Sequence, residues 1–376
     1  MKIKNLLIVP FLALGMVACG NSQKTDDTQA TEKKVVIKAP AFNADSAYTY
    51  IQTQADFGPR VPNTQAHRDC GEYLAKQLEK FGAKVYNQYA YLTAWDGTVQ
   101  IARIIIGSYK PESKKRILLC AHWDSRPYAD NDPDTKNHHK HILGVNDGAS
   151  GVGVLLEIAR LLQQQVPTVG IAIVFFDAED YGIPEFYQGA YKQDTWCLGS
   201  QYWARTPHVQ GYYSRYGILL DMVGGKGATF YQEPYSNRTA RSEVKKIWKK
   251  AQELGYGNYF VQQEGAEVID DHVYVHSIGR IPCVDIINYD PTCQTSSFGP
   301  YWHTVNDTME NIDRNTLKAV GQTVMDVIYN EKKNLKYENN QRTARRNHRR
   351  VQRLRRLDGQ VSVAYRLGQR ARTSCS

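Results

Sequence analysis

IAIVFFDAED, at 171–180, is an apolar run that stops abruptly in carboxylates. A short run rich in β-branched and aromatic residues reads as a strand buried on both faces. The carboxylates at its end then fall where an open α/β sheet binds its ligands, in the crevice beyond the carboxyl ends of the strands. Four other segments have the same form. RILLCAHWDS (116–125) contains His122, GVNDGASGV (144–152) contains Asp147, GILLDMVGG (217–225) contains Asp221 and PYWHTVNDT (300–308) contains His303. A lone histidine at a strand end is more often a satisfied core group than a ligand. A set of this kind, all of zinc-ligand type and all at the ends of apolar runs, points to a metallohydrolase-like site.

The rest of the chain supplies the scaffold around these strands. Residues 44–82 read as two helices, the first capped by Asn43 or Asp45, separated by the turn FGPRVP at 57–62. Residues 84–92 and 99–107 alternate around Asp96-Gly97, a hairpin signal. An amphipathic helix follows Gly148, and further helices are expected near 239–254 and 313–333, with a strand at 282–288. Strands alternating with helices predict an α/β fold: a single three-layer domain whose central mixed, mostly parallel sheet is flanked by helices. Two loops stand out. Residues 126–142 carry Asp130, Asp132 and Asp134 near His138, His139 and His141, in a spacing that matches no recognised cation site, so a solvated loop is expected. Residues 181–198 are strongly aromatic and leave the crevice directly, so they are expected to wall a substrate site.

The bulk numbers allow one large domain with tails. Of 376 residues, 42% are hydrophobic and 23% charged, which suits a folded body. The net charge of +9 does not describe that body. Residues 342–376 hold eleven Arg, one Asp and no Lys or Glu, so the remainder is close to neutral and gives no sign of nucleic-acid binding. The abrupt shift marks 337–376 as a disordered or non-native tail; a tail that binds anionic surfaces is the other reading. At the opposite end, Lys2 and Lys4 precede an apolar run that closes in Met16-Val17-Ala18-Cys19. That order resembles a bacterial lipobox with Cys19 as the lipidated residue. It predicts a signal peptide at 1–19, a flexible tether at 20–42, a catalytic domain at 43–336, and an exported protein anchored by lipid in the periplasm or cell envelope of a bacterium. The membrane is then met through that anchor alone, and the chain is expected to be a monomer. Cys120 and Cys283 lie in apolar runs and are expected in the core, while Cys70, Cys197 and Cys293 are candidates for disulfides in an oxidising compartment.

Zinc takes imidazole nitrogen and carboxylate oxygen, and a catalytic site leaves one position open. Asp147, Asp180 and His303 supply three such ligands. Glu179 is the chain neighbour of a ligand and points elsewhere, which frees it to act as general base.

The segments AHWDS, VNDGASG, FFDAED, LLDMV and WHT together resemble the zinc-dependent aminopeptidase superfamily that uses a co-catalytic metal pair, over roughly residues 45–335. In that pattern His122 and Asp221 would hold one zinc, Asp180 and His303 the other, and Asp147 would bridge. Trp302 directly before His303, and Asp270-Asp271-His272 followed by GRIP at 279–282, resemble one branch, the glutaminyl-peptide cyclotransferases. Position 180 is Asp where many relatives have Glu, and no clear counterpart exists for a second pocket tryptophan; Trp196 or an aromatic of 181–191 is expected in its place. The resemblance implies one zinc, held by Asp147, Asp180 and His303, with Glu179, Asp221 and Asp270 as catalytic residues and Trp302, His122 and Trp196 lining the substrate pocket. If Asp270 reaches Asp221, the two share a proton and Asp221 becomes a poor ligand. The activity implied is conversion of N-terminal Gln, and slowly Glu, of peptides and proteins to pyroglutamate, with ammonia released from Gln. The alternatives are a two-zinc aminopeptidase of the same superfamily and a peptide-binding lipoprotein without activity.

Overall fold

Asn43 opens the first helix by accepting the backbone N–H groups of Asp45 and Ser46 on its side-chain oxygen. Its helix, α1, spans Ala44–Asp56, and α2, capped in the same way by Thr64, spans Gln65–Lys80. The hairpin follows as β1 (Lys84–Thr93) and β2 (Val99–Tyr109), and then β3 (Arg116–His122), α3 (Ala149–Gln164) and β4 (Gly170–Phe176). After them come α4 (Leu198–Arg205), β5 (Gly217–Asp221), β6 (Phe230–Gln232), α5 (Pro234–Thr239) and α6 (Arg241–Glu253). The last elements are β7 (Phe260–Glu264), α7 (Asp271–Ser277), β8 (Cys283–Ile287) and α8 (Arg314–Tyr329). The structure, a computed structural model, describes residues 38–331 apart from Val166. Cys19, the signal segment at 1–19, most of the tether and the tail at 337–376 lie outside the described residues.

Six strands form one sheet in the order β1-β2-β4-β3-β5-β8. The pairs β4–β3, β3–β5 and β5–β8 are parallel, and β1–β2 and β2–β4 are antiparallel. The predicted mixed, mostly parallel sheet is therefore the observed one. Its centre is buried on both sides, and the strand period of two decides which side each residue serves. Ile117, Leu119 and Ala121 of β3 enter the core made with α1, α2, α3, α6 and α8, whereas Leu118 and Cys120 enter the smaller core beneath α4 and α7. Because β3, β4 and β5 run in parallel, their carboxyl ends reach the same edge, and His122, the 177–180 segment and Asp221 meet there.

Several expectations are corrected. Asp130 and Asp132 do not belong to a solvated loop: each is only 5% exposed. Asp130 accepts two hydrogen bonds from Arg126, and Asp132 accepts the backbone N–H groups of Asp134 and Val305, so the loop is tied to the His303 segment. Cys70, Cys197 and Cys293 are all free thiols, the first two buried among core residues. Residues 39–42 of the expected tether pack on α8, where Phe42 donates its N–H to Gln322 and lies against Gly321. The helices α4, α5 and α7 and the small β6–β7 ribbon are additional. They are short, from three to eight residues, and too brief to show a period. Among the described residues no helix is long and apolar enough to cross a membrane.

Candidate active site

The sheet edge is shaped by backbone strain. Ala178, Cys197, Met222 and His303 all adopt positive φ between 48° and 57°. Each such residue costs on the order of 1–3 kcal/mol, and such residues gather at functional sites. Ala178 turns the chain directly before Glu179, Met222 does so directly after Asp221, and His303 is itself a candidate ligand. Gly148, with φ of 95°, makes the turn from Asp147 into α3. A Cβ there would sit 2.5 Å from the Asp124 carbonyl oxygen and 3.2 Å from the His122 ring. Only glycine lets the Asp147 turn press this closely on His122.

Two triads result, and they share Asp147. In the first, His122 Nε2 lies 3.0 Å from Asp147 Oδ1 and 3.1 Å from Asp221 Oδ1. In the second, His303 Nε2 lies 3.5 Å from Asp147 Oδ2 and 3.3 Å from Asp180 Oδ1. In each triad the potential donor atoms all lie within 4.8 Å of one another. Their surroundings differ. His122 is hydrogen-bonded to Asp221, but neither carboxylate oxygen of Asp180, though buried, has a hydrogen-bond partner. Buried oxygens left unpaired cost free energy, and a cation would relieve that cost. Two carboxylates and an imidazole with unused lone pairs suit zinc. Behind His303, Asp130 Oδ1 faces Nδ1 at 3.5 Å and is itself gripped by Arg126. Such a carboxylate behind a ligating imidazole fixes its orientation.

Glu179 is held at both its backbone and its side chain. Asp124 accepts the N–H groups of Glu179 and Asp180 at 3.2 and 3.1 Å, and Cys197 donates its thiol hydrogen to Glu179 Oε1 at 3.1 Å. Burial, reinforced by the charges of Asp180, Asp270 and Asp271 against the opposing pull of His122, raises the Glu179 pKa well above the usual range. A carboxyl so poised can carry a proton near neutral pH. Asp270 caps α7 through the Asp271 N–H and leaves its other oxygen unpaired. Its carboxylate gathers with Glu179 and Cys197 on one side and with His272 and Asp285 on the other. Asp270 bears on Asp221 through its charge, and the proton shared between the two that the resemblance implied has no hydrogen bond to support it among the described residues. Burial first, then Asp147 and Asp270, push Asp221 up to about 7, while the hydrogen bond with His122 pulls the other way.

These groups open into a cleft of about 190 Å³ lined by Asp147, Glu179, Asp180, Asp221, Asp270 and His303, with Trp196, Trp302, Phe298, Ile287, Val268 and Ile269 as its apolar walls. Trp302 stacks on the His303 ring with centroids 3.7 Å apart, Trp196 lies nearly parallel to that ring at 6.0 Å, and the Arg126 guanidinium lies over the Trp196 ring at 4.5 Å. The structure thus brings the sequence-predicted site residues to one place, except that His122, expected to line the pocket, is buried behind Asp147 and Asp221 and is not among the residues lining the cleft. Sequence reasoning missed Asp124, Arg126, Asp130, Cys197 and Asp307. Asp124 and Arg126 stand within four residues of His122, which is the signal that was available for them; Asp307 and Cys197 carry none.

A comparison with known proteins fits this geometry. The model of peptidase family M28 matches residues 105–328. The chain belongs to that family. A crystal structure of Bacteroides thetaiotaomicron glutaminyl cyclase bound to N-acetylhistamine is 62% identical, with a TM-score of 0.77, and covers 78% of this chain and all of that one. The glutaminyl-peptide cyclotransferase of Bos taurus is 27% identical over 247 residues, 57% of this chain and 62% of the relative. Aminopeptidase YwaD of Bacillus subtilis is 27% identical over 277 residues, 72% of this chain and 51% of the relative. The chain therefore spans between about half and three-fifths of the length of these two curated relatives.

Proposed function

We propose that this M28 member is a glutaminyl-peptide cyclotransferase, which turns an N-terminal Gln of peptides and proteins into pyroglutamate with release of ammonia. The observation that carries the reading is the placement of Glu179: a buried carboxyl outside the Asp147–Asp180–His303 triad yet in the same cleft, which is walled by two tryptophans. The 62% identity to a glutaminyl cyclase supports it.

Asp147, Asp180 and His303 would hold one zinc. When bound, it supplies Lewis-acid polarisation of the substrate's γ-carboxamide. The chain's own residues do the rest. The walls formed by Trp302, Trp196 and Phe298 admit one side chain and exclude water, so the substrate's own amine meets the carbonyl instead. Glu179 takes a proton from the α-amino group as that nitrogen bonds to the γ-carbon and closes a five-membered ring. The bond from the γ-carbon to the amide nitrogen breaks, and Glu179 returns the proton to the departing ammonia. The proton cycle closes on Glu179, so turnover needs no acid or base from outside. Asp221 and Asp270 would steady the amine and Glu179 by hydrogen bonding, and His122, buried behind the cleft, would hold Asp221 through their hydrogen bond. In this reading the lipid anchor at Cys19 places the enzyme in a bacterial envelope; mass spectrometry of the mature N-terminus tests that part.

The test of the activity is zinc per chain, measured on the preparation assayed for ammonia release from a Gln-initiated peptide. Zinc with ammonia release is expected. Cleavage of a leucyl peptide without cyclisation, and two zincs per chain, would make it an aminopeptidase.

A further inference from the structure

Arg60, in the turn between α1 and α2, is fully buried, and its partners are backbone carbonyls instead of a carboxylate. Its Nε donates to the Trp123 oxygen at 3.0 Å, Nη1 to the Leu143 oxygen at 2.6 Å and Nη2 to the Gly144 oxygen at 2.6 Å. The Arg60 carbonyl also accepts the Ser125 N–H. These contacts join two irregular segments. One follows directly on His122 and contains Asp124; the other leads through Gly144 into Asp147. A planar fork with five donors can fasten several carbonyls at fixed angles, which lysine cannot do. A guanidinium so deep also needs negative charge nearby. Burial lowers its pKa, and Cys70 first, then Asp307, Asp124 and Asp147, pull in the opposite direction. Asp307 in turn accepts the N–H groups of Asn146 and Asp147. Arg60 and Asp307 thus grip the Asp147 segment through its carbonyls and its amides respectively.

We propose that Arg60 is a positioning residue for the metal site: by locking the segment after His122 to the segment before Asp147, it sets how tightly the site retains a divalent cation. The inference rests on the reading of Asp147 as a ligand. Its test uses the zinc-loaded full chain and follows zinc release into an excess of a chromophoric chelator, well below the melting temperature. R60M is expected to release zinc about 10- to 100-fold faster and to lose kcat by a similar factor. KM for a Gln-initiated peptide should move little. R60K, which restores the charge without the fork, should fall between R60M and wild type. R60M that releases zinc at the wild-type rate overturns the proposal. Should R60M fail to fold, R60K decides alone: faster release supports the proposal, and wild-type release overturns it. Wild-type protein that holds no zinc at all refutes the ligand reading and the proposal with it, whereas wild-type zinc retention with unchanged release in the variants refutes the role of Arg60 only.

Discussion

The two triads that share Asp147 contain the same residue types and lie side by side, yet one is closed on itself and the other is open. His122 sits within 3.1 Å of both its aspartates, and its pKa is raised well above the ordinary value: burial opposes the charge, but the neighbouring carboxylates of Asp124, Asp147 and Asp221 outweigh it. In that triad the imidazole and its carboxylates offset one another's charge directly. In the other, neither Asp180 oxygen makes a hydrogen bond, although Oδ1 lies 3.3 Å from His303 Nε2 and 3.5 Å from Arg126 Nη1, and His303 is braced from behind by Asp130 and Arg126. Each imidazole has a carboxylate behind its Nδ1, Asp124 at 3.6 Å from His122 and Asp130 at 3.5 Å from His303, so the triads differ chiefly in the Asp180 oxygens that make no hydrogen bond.

The comparison is broken most directly by removing one histidine from each triad. H303A is expected to lose bound zinc and to lose ammonia release down to background, while H122N keeps its zinc. Zinc content and ammonia release on both variants check this, and zinc loss from H122N would invert the assignment. Glu179 belongs to neither ligand set, although its Oε2 stands 4.0 Å from His122 Nδ1. E179Q should keep the zinc and the substrate affinity while kcat falls by about 10²- to 10⁴-fold. Unchanged turnover would remove Glu179 from the chemistry. The brace comes next. D130N weakens the group behind His303 and should cost about 10- to 100-fold in zinc affinity. Competition against a chelator of known affinity reads it, and wild-type affinity would mean that Asp130 serves only its ion pair with Arg126.

Most of the framework was legible in the sequence because buried parallel strands are written as apolar runs, and their ends are marked by the first polar residue. His122, the 177–180 carboxylates and Asp221 were placed at one sheet edge on that ground, and β3, β4 and β5 do end together there. The triads' difference was not legible, since it depends on groups remote in sequence: Asp130 behind His303, Asp124 beneath Glu179 and Asp307 beneath Asp147. Asp130 looked like part of an acidic, solvated loop, and only the fold shows that Arg126 takes it into the interior. Cys197 was expected to be available for a disulfide, whereas the left-handed turn at its own position aims the thiol at Glu179. The short helix α7 has too few residues to announce itself, yet it places Asp270 beside Glu179.

The subtlest consequence concerns pH. To take a metal, the closed triad must shed the His122 proton and the proton on Asp221, whose pKa is pushed up to about 7, chiefly by burial. Binding there would release up to about two protons, so raising the pH favours it and lowering the pH opposes it. Asp147 is held below the usual carboxylate range, since burial is outweighed by the hydrogen bond and charge of His122 and by the charges of His303 and Arg126, so it contributes no proton to that release. The open triad sheds protons as well, since Asp180 is pushed up to about 6, chiefly by burial, and His303 is raised, with burial and Arg126 outweighed by Asp180 and Asp130; but its Asp180 oxygens have no hydrogen bond that must first be broken. With zinc in moderate excess, one equivalent per chain is expected at pH 6, and a second, weaker equivalent should appear only as the pH rises past about 7. Isothermal titration at both pH values, in two buffers of different ionisation enthalpy, gives both the stoichiometry and the protons released. A second equivalent that binds at pH 6 as tightly as at pH 9, without proton release, would mean that the His122 triad is not proton-closed, and the two triads would then differ in geometry alone.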